Sequence, residues 1–465
     1  MSDAPTVITG SWRELLGRDH LGTSTLLAGG VALYATNEFL TISLLPNAVA
    51  DIGGQRLYAW VVTVYLIGSV AAATAVNPLL IRFGPRMAYL LALTLFGAGT
   101  VGCAVAPTME LLLVARIAQG AAGGMLAGLG YAVISAALPD RLWTRASALV
   151  SAMWGVSVII GPAMGGVFAQ LGFWRWAFGS LAIATFAMAA LVPRALPPRE
   201  RSGITTGLRR IPVRSLLLLG TAALAISLAG AQRTALTTAG LLAAGSTLIG
   251  GFLVVDRRAR VAVLPRAVFG PGPLKWMYVS IGVLMAATMV DMYVPLFGQR
   301  LGHMTPLAAG FLGAVLAVGW TLSEIVSASV NSMRLVVRLV AAAPVVMAVG
   351  LALAAFVVND RPRWLVMVAW VVALFIAGAG VGTAWPHLSA WIMGALDDPV
   401  EGGAAAAAIN TVQLVSGALG AGLAGVVVNA TAGGDVATAR WLFAVFGVLA
   451  AIGVRATYAA NPASR

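Results

Sequence analysis

Stretches of about 20 apolar residues recur along almost the whole chain, and this feature limits its possible folds more than any other. An apolar run of this length crosses the hydrocarbon core of a bilayer as an α-helix, which satisfies its own backbone hydrogen bonds there. The sequence therefore predicts an all-α integral membrane protein. We count roughly fourteen candidate spans, with approximate limits at residues 24–47, 57–80, 87–107, 109–132, 147–170, 175–195, 213–231, 236–255, 275–298, 306–330, 337–358, 364–387, 403–430 and 439–458.

Composition agrees with a membrane protein and argues against several other classes. Hydrophobic residues make up 60% of the 465, and charged residues only 10%. The net charge of +13 does not indicate nucleic-acid binding, because the basic residues lie between apolar runs. The single cysteine, the three scattered histidines and the lack of a phosphate-binding loop lead us to expect no metal site, no cofactor and no enzymatic activity.

The distribution of arginine and lysine predicts the orientation of the spans. An even number of spans places both termini on one side of the membrane. If that side is the cytoplasm, the cytoplasmic segments hold 21 basic residues and the outer segments hold 7. Because basic residues accumulate in cytoplasmic loops, we predict that both termini are cytoplasmic.

Two charged connectors that contain proline, at residues 193–214 and 256–275, enclose only two spans. Removing this hairpin leaves six spans on each side, as expected of a duplicated transporter. The predicted units are a cytoplasmic N-terminal segment (1–22), an N-terminal six-helix bundle (23–195), cytoplasmic linkers with the inserted hairpin (196–274), a C-terminal six-helix bundle (275–460) and a cytoplasmic tail (461–465).

A segment rich in glycine and proline, WGVSVIIGPAMGG at residues 154–166, interrupts one apolar run. The proline opens the helical hydrogen-bond ladder, and the spacing of Gly161 and Gly165 allows another helix to approach closely. An ordinary kinked packing helix would have the same features. The segment also resembles the antiporter signature in the fifth span of major facilitator superfamily exporters, through Gly155, Gly161, Pro162, Gly165 and Gly166.

Other segments resemble the fourteen-span drug:proton antiporters of that superfamily, in the same order along the chain. They are LYAWVVTVYLIGS (57–69), the pattern Leu112-x-x-x-Arg116-x-x-Gln119-Gly120, WRWAF (174–178), YVPLFGQRLGHMTPLAAGFLG (293–313) and GGAAAAAINTVQLVSGALGAGLAG (402–425). The resemblance implies the major facilitator fold, with two six-helix bundles plus the inserted hairpin. It also implies a monomer in the bacterial inner membrane that exports hydrophobic or cationic small molecules by alternating access, driven by the proton gradient.

The sequence departs from the family pattern at two places. Arg82, Gly84 and Arg86 match the family's gating loop after the second span, but Ile81 stands where the family has an acidic residue. In the first span, the position that is often acidic in the family is Asn37, and Glu38 follows it. The sequence therefore leaves open which charged residues the gating loop contacts.

Four ionisable residues, Glu38, Arg116, Asp291 and Glu324, lie well inside the limits of predicted spans and are candidates for charges within the membrane, where a charge costs about 2.5–3.5 kcal/mol on insertion scales. Counting along the helices places Glu38, Arg116 and Asp291 at a similar depth, and we predict that these three couple transport to protons. A static ion pair between Glu38 and Arg116 is one alternative. For Asp291, contact with a proton or the cargo and a role outside coupling agree equally well with the sequence. Glu324 lies nearer one helix end, and we expect a structural role for it.

Cargo selection is expected from side chains around these charges. Helical spacing places Tyr34 and Thr41 on the face of Glu38. The full predicted cavity set is Tyr34, Asn37, Thr41, Tyr65, Gln119, Trp154, Asn410 and Gln413. Trp60, Trp320 and Trp385, with Met285 and Met289, also offer apolar surfaces suited to hydrophobic or cationic guests. Most of the 13 tryptophans are expected to be interfacial or packing residues, so we predict cargo contact only for Trp154 and Tyr65 among the aromatic residues of motif-bearing helices, beside Tyr34.

The predicted cargo is a small amphipathic molecule. Two other functions are compatible with the same fold. One is an exporter of a lipid, glycolipid or endogenous metabolite, and the other is a membrane receptor or scaffold that does not transport. The charges of Glu38 and Arg116 argue against a scaffold, which has no use for ionisable groups inside a membrane.

Overall fold

The computed structural model describes residues 11–73, 76–196, 212–232, 234–259, 262–330, 332–360, 363–395 and 399–460. The regular structure of these ranges is helical. The long helices are α1 Leu21–Ile52, α2 Trp60–Ala73, α3 Val76–Val105, α4 Met109–Ala132, α5 Trp143–Gln170, α6 Trp174–Ala195, α7 Val213–Ala231, α8 Ala235–Arg258, α9 Leu274–Arg300, α10 Pro306–Ala328, α11 Met333–Val357, α12 Trp364–Met393, α13 Pro399–Ala430 and α14 Gly434–Ala459.

Thirteen of the described helices are long and apolar enough to cross a membrane. The remaining long helix is α1, whose 32 residues are sufficient in length. Its hydropathy is lowered mainly by the neighbouring polar residues Asn37 and Glu38. The structure thus confirms the predicted all-α membrane architecture, and the predicted number of spans agrees roughly with it.

The two six-helix halves share a packing device. Gly120 in α4 lies against the backbone carbonyl of Tyr65 in α2, and Gly378 in α12 lies against the carbonyl of Leu316 in α10. A Cβ atom at either glycine would overlap that carbonyl oxygen. The helix pairs α2–α4 and α10–α12 therefore approach each other by the same kind of glycine-to-backbone contact.

The inserted hairpin, formed by α7 and α8, lies against the seam between the halves. In α7, the backbone carbonyl of Ser227 accepts a hydrogen bond of 3.1 Å from the indole of Trp60 in α2. The backbone of Gly230 packs against Val426 in α13. Between α2, α7 and α13 there is an apolar pocket of about 350 Å³, lined by residues such as Val70, Leu216, Leu219 and Val415.

Asp256 holds the hairpin to the connector that follows it. Its buried carboxylate accepts a hydrogen bond of 2.7 Å from Ser215 at the start of α7. It also accepts 2.8 Å and 2.9 Å bonds from the backbone N–H groups of Val263 and Leu264. Both ends of the hairpin are thereby fixed to the chain that enters α9.

We call the side of the bundle that holds Ser11 and Ala460 the terminal side, and the opposite side the far side. A short helix, Trp12–Leu15, lies on the terminal side, where Arg141 and Glu14 form an ion pair of 2.5 Å. The hydrogen bond from Arg141 holds the pKa of the Glu14 carboxyl below its usual value. This ion pair connects the start of the chain to the segment that precedes α5.

Hydrogen bonds between the two halves are found toward the far side. They join the hydroxyl of Tyr58 to the Met292 carbonyl (3.1 Å), Gln299 to Asn47 (3.1 Å), Arg300 to Gln55 (3.2 Å) and Asn429 to the Arg56 carbonyl (3.1 Å). The rings of Tyr58 and Tyr293 also stack, with centroids 4.7 Å apart. These contacts hold the halves together at the far side of the membrane.

Candidate functional site

Arg116 in α4 lies at the centre of a buried polar network, with only 1% of its surface exposed. Its Nε donates to the Val61 carbonyl at 3.1 Å. Its Nη1 donates to the side chains of Gln119 at 2.6 Å and Thr41 at 3.3 Å. A guanidinium group tolerates burial when its donors are satisfied in this way, and here three of them are.

Neighbouring helices extend this network. Gln119 lies three residues after Arg116, on the same face of α4, and donates to the Thr100 hydroxyl of α3 at 2.8 Å. Thr41 donates to the Asn37 carbonyl at 2.7 Å. We define the Arg116 network as Thr41, Thr100, Arg116 and Gln119. It joins α1, α3 and α4 directly and reaches α2 through the Val61 carbonyl.

Three aromatic side chains pack beside the Arg116 network. The guanidinium of Arg116 lies 4.0 Å from the centre of the Tyr65 ring, a cation–π contact. Tyr65 stacks on Tyr34 at 5.8 Å, and Trp154 meets Tyr34 edge-on at 5.7 Å. Gly123 leaves room for the two tyrosines, since a Cβ there would lie 2.7 Å from a ring carbon of Tyr34 and 2.7 Å from the hydroxyl oxygen of Tyr65. The structure thus brings together the three predicted aromatic residues.

Several buried polar atoms at this site have no hydrogen-bond partner among the described residues. They include both amide atoms of Asn37 and the hydroxyl of Tyr65. The Asn37 amide and the Tyr65 hydroxyl interact, but they lack the alignment of a hydrogen bond. An unpaired buried polar group destabilises a fold by about 1–3 kcal/mol. These atoms therefore mark a place where a ligand or water would supply the missing bonds.

The two predicted acids lie in different halves of the protein. Glu38 is half-buried and makes no hydrogen bond or ion pair with the described residues, although Arg116 acts on it electrostatically. Asp291 is 9% exposed and lies in a 3-10 turn, Met289–Tyr293, within α9. Its Oδ1 atom has no hydrogen-bond partner in the part of the chain that the structure describes, and its carboxyl group interacts electrostatically with Glu38. Because Glu38 and Arg116 form no ion pair, the geometry disfavours the static-pair alternative.

The glycines of the signature segment place α5 against two helices. Gly161 and Gly165 pack on the backbone of α1, where Leu40 is a shared neighbour. Gly166 faces the other half, and a Cβ there would lie 2.6 Å from the Cα of Leu307 in α10. A Cβ at Gly155 would meet nothing within 4 Å. Ser43 of α1 donates to the Pro162 carbonyl at 3.3 Å, which adds a polar contact between α1 and α5.

The remaining predicted residues lie apart from the Arg116 network. Asn410 is exposed and Gln413 half-buried on α13, and neither side chain hydrogen-bonds to the network. Gly84 lies in the predicted gating loop and has a φ of 76°, a value that glycine adopts readily and other residues rarely adopt. This backbone conformation interrupts α3 at the turn that follows the second span. Arg82 lies 5.4 Å from the Phe83 ring centre, and Arg86 follows Gly84 on the terminal side.

Sequence reasoning missed two partners in the network, Thr100 and the Val61 carbonyl. A threonine inside an apolar span carries no distinctive signal, and a backbone carbonyl carries none at all. Thr41 and Gln119 were expected to line a cavity, and both are fully enclosed in this conformation, at 1% and 0% exposure.

Replacing Arg116 with lysine is expected to lower the transport rate at least about tenfold while the protein still folds. A lysine keeps the charge but lacks the planar set of donors that reaches Val61, Gln119 and Thr41. A tenfold fall in rate corresponds to about 1.4 kcal/mol in the activation barrier. A hydrogen bond to a charged group contributes about 1.5–3 kcal/mol, so losing one that is stronger in the transition state of the conformational change accounts for this effect. The measurement is initial-rate transport in proteoliposomes. Arg440→Lys is the control, because the hydrogen bond of Arg440 among the described residues goes to the Val358 carbonyl, away from the Arg116 network. Equal rates for both variants would contradict the prediction.

A family model described as the Major Facilitator Superfamily matches residues 27–421. The chain is 60% identical over 463 residues to a Mycobacterium tuberculosis protein named "Probable multidrug-efflux transporter", and the match covers 98% of both chains. The solved structure of the nucleoside transporter NupG aligns with a TM-score of 0.68 at 11% identity, covering 94% of this chain and 98% of that one.

A second solved structure, of a bacterial homologue of the human lysosomal transporter Spinster, is described as inward-facing and unoccupied. It aligns with a TM-score of 0.61 at 12% identity, and covers 97% of this chain and 98% of that one. At these low identities, the two solved structures show a shared fold and nothing about cargo.

Proposed function

The chain belongs to the major facilitator superfamily, and we propose that it exports hydrophobic or cationic small molecules, drugs among them, in exchange for protons. Membership of this family makes the protein a multi-pass membrane transporter and not an enzyme. Its 60% identity to a protein named as a multidrug-efflux transporter supports the direction and cargo class of the proposal.

The observation that carries the proposed coupling is that Glu38 and Asp291, in the first helices of the two halves, form no ion pair with any described residue. A carboxyl group in apolar surroundings favours its neutral form, whereas a nearby guanidinium favours the carboxylate. Movement of the halves changes both the access of water to Glu38 and its position relative to Asp291 in the other half. Glu38 can therefore take up a proton from one compartment and release it into the other.

We infer that the terminal side is cytoplasmic and that the protein lies in a bacterial inner membrane as a monomer. The prediction for the termini rests on the excess of basic residues in the segments of that side. The hydrogen bonds that join the halves at the far side support this orientation, in which the closed side is the outside and cargo enters from the cytoplasm.

The test of this function is transport by the purified protein in proteoliposomes under an imposed pH gradient. A lipophilic cationic dye such as ethidium is expected to accumulate against its gradient, and an uncoupler is expected to stop the accumulation. Liposomes without protein provide the control. Dye movement that is equal with and without the pH gradient would exclude proton exchange, and no movement of any amphipathic cation would exclude this cargo class.

A second candidate function is export of a lipid or another endogenous apolar metabolite. The apolar pocket between α2, α7 and α13 favours it, because its lining side chains, such as Val70, Leu216, Leu219 and Val415, are apolar like an acyl chain. Mass spectrometry of lipids bound to the purified protein, and competition between those lipids and the dye, distinguishes the two candidates. A single tightly bound lipid that blocks dye transport would favour the second.

A further inference from the structure

The inserted hairpin leaves a gap beside the two halves on the terminal side of the membrane. Toward the far side, α7 contacts both halves directly. The Ser227 hydroxyl donates to Thr63 in α2 at 3.1 Å, and a Cβ at Gly422 in α13 would lie 2.8 Å from the Ser227 hydroxyl oxygen. Nearer the start of α7, the apolar pocket of about 350 Å³ separates this helix from α2 and α13. The hairpin is therefore in direct contact with the halves at one end and parted from them at the other.

The pocket has the length and the lining that a single lipid tail requires. Its wall on α7 runs from Val213 to Leu224. Eleven residues at 1.5 Å each give about 16 Å, roughly half of the 30 Å hydrocarbon thickness of a bilayer. Thr221 has a polar side chain in this lining, and its hydroxyl donates to the Leu217 carbonyl at 2.6 Å. An apolar cavity of this kind favours an alkyl chain over water.

The pocket is open to the surrounding bilayer and closed to the Arg116 network. Val213 and Leu217 line it and are more than half exposed. On α2 it is lined by Ile67 and Val70, whereas Tyr65 of the same helix contacts Arg116. At 3.6 residues per turn, Ile67 and Val70 point about 140–160° away from Tyr65. Because α2 stands between the two sites, a molecule in the pocket does not occupy the predicted cargo site.

Positive charge is concentrated at the terminal-side end of the pocket. The hydrogen bonds of Asp256 with Ser215 and with the Leu264 N–H bring together the start of α7, the end of α8 and the connector that follows. Asp256 is the only acid between residues 212 and 275. None of the arginines beside these three residues forms an ion pair with another described residue. Four of them are exposed: Arg214, Arg257, Arg258 and Arg266.

We propose that an anionic phospholipid binds here, with one acyl chain in the pocket between α2, α7 and α13 and its phosphate at the four arginines. The apolar lining accounts for the tail, and basic groups between helices at the cytoplasmic surface bind anionic headgroups. Because the pocket is walled by α2 of one half and α13 of the other, the bound lipid connects the hairpin to both halves. This inference depends neither on the exported cargo nor on proton exchange.

The headgroup is tested by native mass spectrometry of the delipidated full-length protein, titrated with dioleoylphosphatidylglycerol or dioleoylphosphatidylcholine. The two lipids have the same tails, and only the first has a net charge. We expect its Kd to be at least tenfold lower. The triple variant Arg214→Gln/Arg257→Gln/Arg258→Gln should lose this preference. The matched control, which should keep it, neutralises three exposed terminal-side arginines elsewhere: Arg194, Arg338 and Arg455.

The tail is tested by Gly220→Leu. A Cβ at Gly220 would lie 3.5 Å from Ile67, an ordinary contact, so the larger side chain fills the pocket without displacing a helix. We expect the Kd for phosphatidylglycerol to rise at least tenfold. Gly240→Leu in α8 is the control, because a Cβ there meets nothing within 4 Å. Thermal unfolding and size-exclusion profiles establish that each variant is folded.

Three results would overturn the proposal. Equal affinity of the wild-type protein for the two lipids would remove the headgroup site. Binding by Gly220→Leu as tight as that of Gly240→Leu would place the tail outside the pocket. Displacement of bound phosphatidylglycerol by ethidium would make the pocket a cargo site instead. Because no gradient is present, lipid binding is measured independently of transport.

Discussion

Glu38→Gln is expected to abolish pH-driven accumulation of a cationic dye in proteoliposomes while the protein stays folded. The glutamine has nearly the same shape as the protonated acid and cannot release a proton, so the cycle loses its exchange step. Glu38 makes no hydrogen bond or ion pair with the described residues, and therefore no structural contact is lost. The measurement is the initial rate of dye uptake under an imposed gradient, with detergent-solubilised protein checked for its melting temperature.

The matched control is Glu110→Gln, which neutralises an exposed acid in the first turn of α4 and should transport normally. Exchange of labelled for unlabelled dye at equal concentrations, which needs no net proton movement, should persist in Glu38→Gln. Gradient-driven uptake at the wild-type rate would remove Glu38 from the coupling mechanism. Loss of the exchange reaction as well would assign Glu38 to cargo binding rather than to proton transfer.

The sequence predicted the local parts of the candidate site because helix geometry is regular. Arg116 and Gln119 share one helix face at a spacing of three residues, and the structure gives them a direct hydrogen bond. Glycine spacing in the signature segment predicted a close helix contact, which Gly161 and Gly165 make with α1. In each case a period of 3.6 residues and side-chain size were sufficient.

Relations between distant helices could not be predicted in the same way. Counting residues gave Glu38 and Arg116 a similar depth, but whether they pair depends on the rotation of α1 relative to α4. The structure shows no ion pair between them. Likewise, nothing in the local sequence around Glu324 indicated that Trp385, 61 residues later, would lie beside its hydrogen-bond partner Trp320.

Adding one methyl group at the contact between the halves is expected to change the conformational equilibrium. Gly166→Ala places a Cβ about 2.6 Å from the Leu307 Cα across the α5–α10 contact, so one helix must move. Overpacking of this kind typically costs about 1–3 kcal/mol. Because the contact joins the halves in the conformation that is closed at the far side, that cost should shift the population about 5- to 150-fold toward far-side opening.

The shift is measured as the labelling rate of a reporter cysteine at Asn47, on the far side, by a maleimide that does not cross membranes. Asn47→Cys is placed in the wild-type, Gly166→Ala and Gly155→Ala proteins, so the loss of the Gln299–Asn47 hydrogen bond is common to all three. The single native cysteine, Cys103, is buried and should contribute little labelling. Gly155→Ala is the matched control, because its new methyl group meets nothing within 4 Å and should leave the rate unchanged. If both alanine variants label at the same rate, Gly166 does not hold the far side closed, and the signature segment acts only within its own half.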